Sequence, residues 1–232
     1  MTSRMSSVRM RVPAVAFVLV SLIAAARPAR AQEPPPRIPF VVVDVHGSMP
    51  RFPSDSQPLA DSRAMTLAEL PGSGLGLQAA ITLYPLHWKA VTFGIGGDVI
   101  TSRARQSTDA ATAAAAAAAG LAVPRASEER FRSFAPQLSF NFGNGNGWSY
   151  ISGGLGRSNW ALVPEGQEGY PPDSDVLKTL NYGGGARWFM KRHVGFSFDV
   201  RFYAISPGTT YEGIPGTPRT TLTVINAGVS IK

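Results

Sequence analysis

The sequence contains no cysteine, which excludes a disulfide scaffold and any thiolate metal site. Histidine is scarce as well. Only His46, His87 and His193 occur, and they are too dispersed to supply the three or four converging ligands of a zinc site. Charged residues make up 16% of the chain, against roughly 25% in a soluble globular protein. Beyond residue 31 no stretch longer than about 12 residues is continuously apolar, so no further spanning helix is encoded. What is plentiful is glycine, 24 in 232 residues, within a composition that is 44% hydrophobic. That balance suits a Gly-rich all-β chain and excludes both collagen, which needs strict triplet spacing, and charge-driven disorder.

The beginning of the chain reads as an address. Arg4, Arg9 and Arg11 precede the mostly apolar run VPAVAFVLVSLIAAA (12–26), and ARPARA (26–31) places Ala29 and Ala31 at the −3 and −1 positions before Gln32. A basic region, a short apolar region and an A-x-A site describe a secretory signal peptide over 1–31. The apolar run holds Pro13 and falls short of the ~20 residues a membrane-spanning helix needs. The charge balance changes with it. Five of the 22 basic residues and none of the 15 acids lie in 1–31, leaving 17 against 15 and a net charge of +2 in place of +7. A nucleic-acid partner therefore has no electrostatic basis. Residues 32–38 form a proline-rich lead, and 39–232 remain for the domain.

Within 39–232 the recurring signal is alternation at period 2. It is found around 41–46, 74–84, 91–99, 134–142, 151–156, 180–188, 194–203 and 225–231, which gives eight strands. The connections between them run long (49–73), short (85–90), long (102–130), short (143–147), long (160–178), short (190–193) and long (206–219). An eight-stranded antiparallel up-and-down transmembrane β-barrel with short periplasmic turns and long outer loops requires that order. Face polarity agrees. One face of each strand is large and apolar, while the other carries Gly, Ser, Thr, Asn and Gln, the arrangement of a lipid-facing wall around a small polar interior. The inverse arrangement characterises a water-soluble barrel. Trp88, Trp148 and Trp188 all fall at the short-turn end and predict an aromatic belt at the interface.

On these residues the chain resembles a known family. NYGGGARWFMKRHVGFSFDVRFY (181–203), preceded by SYISGGLGRS (149–158), is similar to the small OmpA-like eight-stranded barrels of the outer-membrane β-barrel domain proteins. The resemblance implies location in the cell outer membrane, contact with its lipid, and insertion by the barrel-assembly machinery. Members typically end on an aromatic residue, whereas this chain ends Ile231-Lys232.

Candidate chemistry is sparse. Charges inside the strands are Asp44, Asp98, Arg157, Arg187, Asp199 and Arg201. By alternation all but Arg157 face inward, predicting a lumen network of Asp44, Asp98, Arg187, Asp199 and Arg201, with an ion path as the functional alternative. His46 and Ser48 share one strand face and give a conceivable base and nucleophile, as in an enzyme acting on lipid A or other acyl chains, but no acid stands beside them. GLGLQA (74–79) matches a dinucleotide fingerprint without the helix that motif requires, and GNGNG (143–147) reads as a tight turn. Asp109 and Gly120 bracket an alanine run with helix-cap residues, too short to be stable alone, so a partly ordered outer loop is expected. No cofactor is expected. The functional expectation is a structural role or binding of an extracellular ligand through the outer loops, such as 161–175. A soluble periplasmic barrel holding an apolar ligand is the alternative.

Overall fold

A computed structural model describes residues 36–164, 173, 175–213 and 215–232. The expected signal peptide, 1–31, lies outside the described residues, as do positions 165–172 of the loop singled out above. The chain forms β1 (Val41–Arg51), a short helix α1 (Gln57–Asp61), a 3₁₀ turn (Leu67–Glu69), β2 (Gly74–Trp88) and β3 (Val91–Gln106). Helix α2 (Ala110–Ala118) follows, then β4 (Ser127–Asn144), β5 (Gly147–Pro164), β6 (Leu177–Phe189), β7 (Val194–Ile205) and β8 (Thr220–Ile231).

Each strand pairs antiparallel with its neighbours in sequence, and β1 closes the ring on β8 from Val43↔Ile231 to Arg51↔Thr223. Closure leaves no strand edge unpaired. The first two short connections shrink to two residues, 89–90 and 145–146, because strand pairing continues up to Trp88↔Val91 and Asn144↔Gly147. Glycine lets strands approach closely at β4–β5, where a Cβ on Gly154 would lie 1.8 Å from the carbonyl oxygen of Pro136.

Odd-numbered residues of β1, β3, β5 and β2 up to Leu83, and even-numbered residues of β4, β6 and β7, point outward. The outer wall is accordingly built of groups such as Leu75, Leu77, Phe134, Leu138, Ile151 and Leu155, all well exposed. The interior is layered. At the short-turn end Ile38, Val42, Tyr84, Trp148 and Tyr150 form an aromatic floor with Phe189 packed against it. Polar and charged side chains fill the middle. At the long-loop end a second apolar cluster includes Ile100, Phe131, Trp160, Tyr203, Leu222 and Val224.

That second cluster corrects the expectation of a uniformly small, polar interior. The reason is strand length. Strands β3, β4 and β5 continue to Gln106, from Ser127 and to Pro164, well past the expected edges, and the extensions bring Ala104, Phe131, Trp160 and Leu162 inside. A second correction concerns Trp148. It was expected in the outer belt with Trp88 and Trp188, which do point outward, but it is buried and stacks on Phe189 at 5.2 Å. It shares the inward face of β5 with Tyr150, two residues on. The alanine run forms α2, whose N-terminus Asp109 caps by accepting from Thr112 N at 2.7 Å. Gly120, with φ +70°, lies just past its end.

Candidate functional site

The polar middle layer gathers five charges from four strands, all buried: Asp44 (β1), Asp98 (β3), Arg187 (β6), and Asp199 and Arg201 (β7). Arg187 meets Asp44 with a two-pronged fork, Nε to Oδ1 at 3.0 Å and Nη2 to Oδ2 at 2.5 Å. Its guanidinium also lies 4.1 Å from the ring centroid of Tyr150, a cation–π contact. Ser230 Oγ donates to Asp44 Oδ1 at 2.5 Å. On β7, Arg201 Nε donates to Asp199 Oδ2 at 2.9 Å, and that carboxylate also accepts from Tyr150 OH at 3.0 Å and Asn226 Nδ2 at 2.7 Å.

Asp98 has no arginine in direct contact. Neutral donors surround it: Gln137 Nε2 at 2.6 Å, Asn181 Nδ2 at 2.9 Å, Gln78 Nε2 at 3.2 Å and Tyr203 OH at 3.2 Å. Buried carboxylates survive in such an interior only when hydrogen-bonded or paired. Gln78, Gln137, Asn181, Asn226, Tyr150 and Tyr203 thus belong to the network although the sequence reading did not single them out. Parity could have found Asn181, in step with Arg187, Tyr203, in step with Asp199 and Arg201, and Gln137, in step with Glu129. Gln78, Tyr150 and Asn226 sit on strands with no inward charge.

The space left within this layer is about 20 Å³, room for one or two water molecules, and it lies between the aromatic floor and the apolar outer cluster. The network therefore packs the lumen as a core does. The five charges face one another across it and leave no open file of sites between the two ends in this conformation.

The same layer bears on catalysis. His46 Nε2 is 2.6 Å from Ser197 Oγ, and its Nδ1 is 2.9 Å from Gln78 Oε1. A hydroxyl, an imidazole and an orienting amide are thus in line, which resembles the nucleophile–base–orienter arrangement of a hydrolase. The hydroxyl is that of Ser197, not Ser48, whose buried Oγ has no hydrogen bond. No substrate carbonyl can reach this array inside a cavity of about 20 Å³. Among the described residues no group of three His, Asp or Glu could hold a metal ion.

Above the outer cluster sits a cap made by residues 52–73. Phe52, Leu59, Ala60, Met65 and Leu70 join the apolar cluster from above. Local sequence builds the cap. Ser56 caps the N-terminus of α1, accepting from Leu59 N at 3.4 Å, and Pro58 fits its first turn. Thr66 and Glu69 form a capping box around the 3₁₀ turn, with Thr66 N donating to Glu69 Oε2 at 2.7 Å. The spacing Thr66-Leu-Ala-Glu69 is the sequence signature that could have revealed it. Two latches fasten the cap. Arg63 Nη2 is 2.6 Å from Asp173 Oδ1 in a buried pair, and Glu69 Oε1 accepts from Arg125 N at 2.7 Å and Nε at 3.1 Å.

Burial pushes the Glu69 carboxyl up, but hydrogen bonds from Thr66 and Arg125 outweigh burial and hold it below the ordinary glutamate range. A group depressed in the folded state stabilises above its unfolded pKa and loses that contribution as pH falls through the folded value. The cap is therefore expected to loosen below about pH 4, read as lost hydrogen-exchange protection over 58–70. Glu69→Gln should weaken the cap at neutral pH and remove this pH dependence.

No protein-family model matches the chain, and no curated relative matches it. Solved barrels are similar to it at low identity. Neisserial surface protein A aligns over 83% of this chain and 95% of its own at 13% identity, with a TM-score of 0.43. Ail, the attachment invasion locus protein of Yersinia pestis, solved in complex with the heparin analogue sucrose octasulfate, aligns over 82% and 96% at 11% identity, TM-score 0.47. The N-terminal β-barrel domain of Pseudomonas aeruginosa OprF aligns over 83% and 96% at 10% identity, TM-score 0.39. The eight-stranded closure described above rests on this chain's own strand pairing.

Proposed function

We propose that this chain is an integral outer-membrane β-barrel with a packed lumen, serving a structural or loop-mediated binding role and acting neither as an enzyme nor as a general porin. The observation that carries this reading is where the wall changes polarity. On β4 the outward positions from Phe134 to Phe142 are Phe134, Pro136, Leu138, Phe140 and Phe142. The next outward positions toward the long loops are Arg132, Arg130 and Glu128. That apolar run covers nine residues, matching the ~9–11 residues a tilted strand needs to cross a bilayer. In water the same wall would expose a contiguous apolar surface far beyond what a soluble monomer carries. The outward Trp88 and Trp188 at the short-turn end suit an interface.

In this reading outer-membrane lipid is the first partner, the barrel-assembly machinery acts during insertion, and an extracellular ligand would meet the long-loop end. At the short-turn end Lys232 Nζ donates to the carbonyl of Gly145 and lies 4.1 Å from the ring centroid of Phe189. Small eight-stranded barrels lack the bore of the 16–18-stranded porins.

The test is electrophoresis of the membrane fraction, unboiled against boiled. A faster unboiled band in the outer-membrane fraction, with no stepwise conductance in planar bilayers, is the expected result. A single unshifted band released by osmotic shock would overturn the membrane reading, and stepwise conductance would overturn the packed lumen.

A further inference from the structure

Outward-facing charges on the barrel wall are confined to the long-loop end, and almost all are positive. On β3 and β4 they are Arg103, Arg105, Arg130 and Arg132, with Glu128 the single carboxylate on the outward strand face among the described residues. On β5 and β6 they are Arg157 and Lys178. Register sets like charges directly opposite one another, Arg103↔Arg130 and Arg157↔Lys178. Such cross-strand pairs are destabilising unless an anion lies between them.

Internal compensation is incomplete. Glu128 is shared by three guanidiniums, those of Arg103 at 3.1 Å, Arg105 at 2.8 Å and Arg130. Among the described residues Arg132, Arg157 and Lys178 make no ion pair with any carboxylate.

Each cationic group borders a hollow on the outer wall. One, of about 260 Å³, sets Leu75, directly opposite Arg103, and Leu77 beside Arg130 and Arg132, with Thr101 and Ser102 making it as polar as it is apolar. The other, of about 520 Å³, is largely apolar, with Leu155 and Leu180 one outward position below Arg157 and Lys178, Phe134 directly opposite Arg157, and Arg219 in the lining. An apolar trough ending in planar guanidiniums complements an amphiphile whose acyl chain lies along the wall and whose phosphate sits at the top, since guanidinium forks bind phosphate oxygens two at a time. We propose that this rim is a binding surface for the phosphates of an outer-leaflet phosphorylated glycolipid, with an acyl chain seated in the larger, apolar trough. The proposal rests on the outer-membrane reading above, which places the long-loop end at the outer leaflet.

The test uses the full mature chain folded into phosphatidylcholine vesicles that contain equal amounts of bis-phosphorylated lipid A and its dephosphorylated counterpart. Lipid retained on the protein after gentle release is counted by native mass spectrometry. The expected result is about fivefold or greater enrichment of the phosphorylated lipid, lost in R103Q/R130Q/R132Q and reduced in R157Q/K178Q. Equal retention of both lipids by the unmodified protein, or enrichment unchanged in both variants, overturns the proposal. Band mobility without boiling is recorded on every sample. A shifted band without enrichment sinks only the lipid site, whereas an unshifted band sinks the membrane reading itself. Should a variant not fold, the comparison of the two lipids on the unmodified protein still decides.

Discussion

Replacing Arg187 with methionine is expected to destabilise the barrel by about 3–5 kcal/mol, because the Asp44 carboxylate would be left buried without its counter-charge. The geometry makes this position more sensitive than any surface ion pair. Both prongs of the guanidinium are engaged by Asp44, and its face rests on Tyr150 and Trp148, 4.1 and 5.8 Å from their ring centroids. Exposed pairs such as Arg105–Glu128 are worth at most about 1 kcal/mol. The informative companion is the double variant D44L/R187M. Removing both charges leaves no unpaired ion, so most of the lost stability should return. Urea unfolding of the vesicle-embedded protein, followed by tryptophan emission, measures both. Equal midpoints for the single and double variants would show that the loss does not come from an unpaired buried carboxylate.

Replacing Leu59 with aspartate is expected to free the cap while leaving the barrel intact. Leu59 is fully buried in the apolar cluster, and truncating a leucine in such a site to alanine already costs about 2–5 kcal/mol. A charge there costs more. Because the cap is joined to the wall by a few latches and no sheet ladder, this loss should be local. Trypsin should cut at Arg63, now held in its pair with Asp173, at least about 100-fold faster than in the unmodified protein. The heat-dependent band shift should persist. Loss of both together would show that the cap is integral to barrel stability.

Much of the architecture was legible because β-structure writes its facing into sequence parity. Val41, Val43 and Val45 against Val42, Asp44 and His46 already separate the outer from the inner face of β1. The same rule carried Asp199 and Arg201, two apart on β7, to one inward face, and there they meet. Parity could also have placed Trp148 inside, since Ile151 and Leu155 mark the odd positions of β5 as outward. The composition rule for interfacial tryptophan, applied to chain position alone, put it on the wrong side of the wall. On β4, Phe131 and Phe134 are three residues apart and face opposite ways, so an outward phenylalanine and an inward one cannot be told apart by residue type.

The sequence by itself determined the strand number, the alternation of short and long connections, and the inward direction of the five lumen charges. These are properties of one strand at a time, or of chain lengths between strands. Only the tertiary structure decided that Arg187 takes Asp44, 143 residues away, and that four neutral donors surround Asp98. It also decided that residues 52–73 close the long-loop end and that Arg103 faces Arg130 on the outer wall. Those facts depend on strand register and ring closure. Both are set by the summed fit of all eight ladders, and no local pattern of residues encodes them.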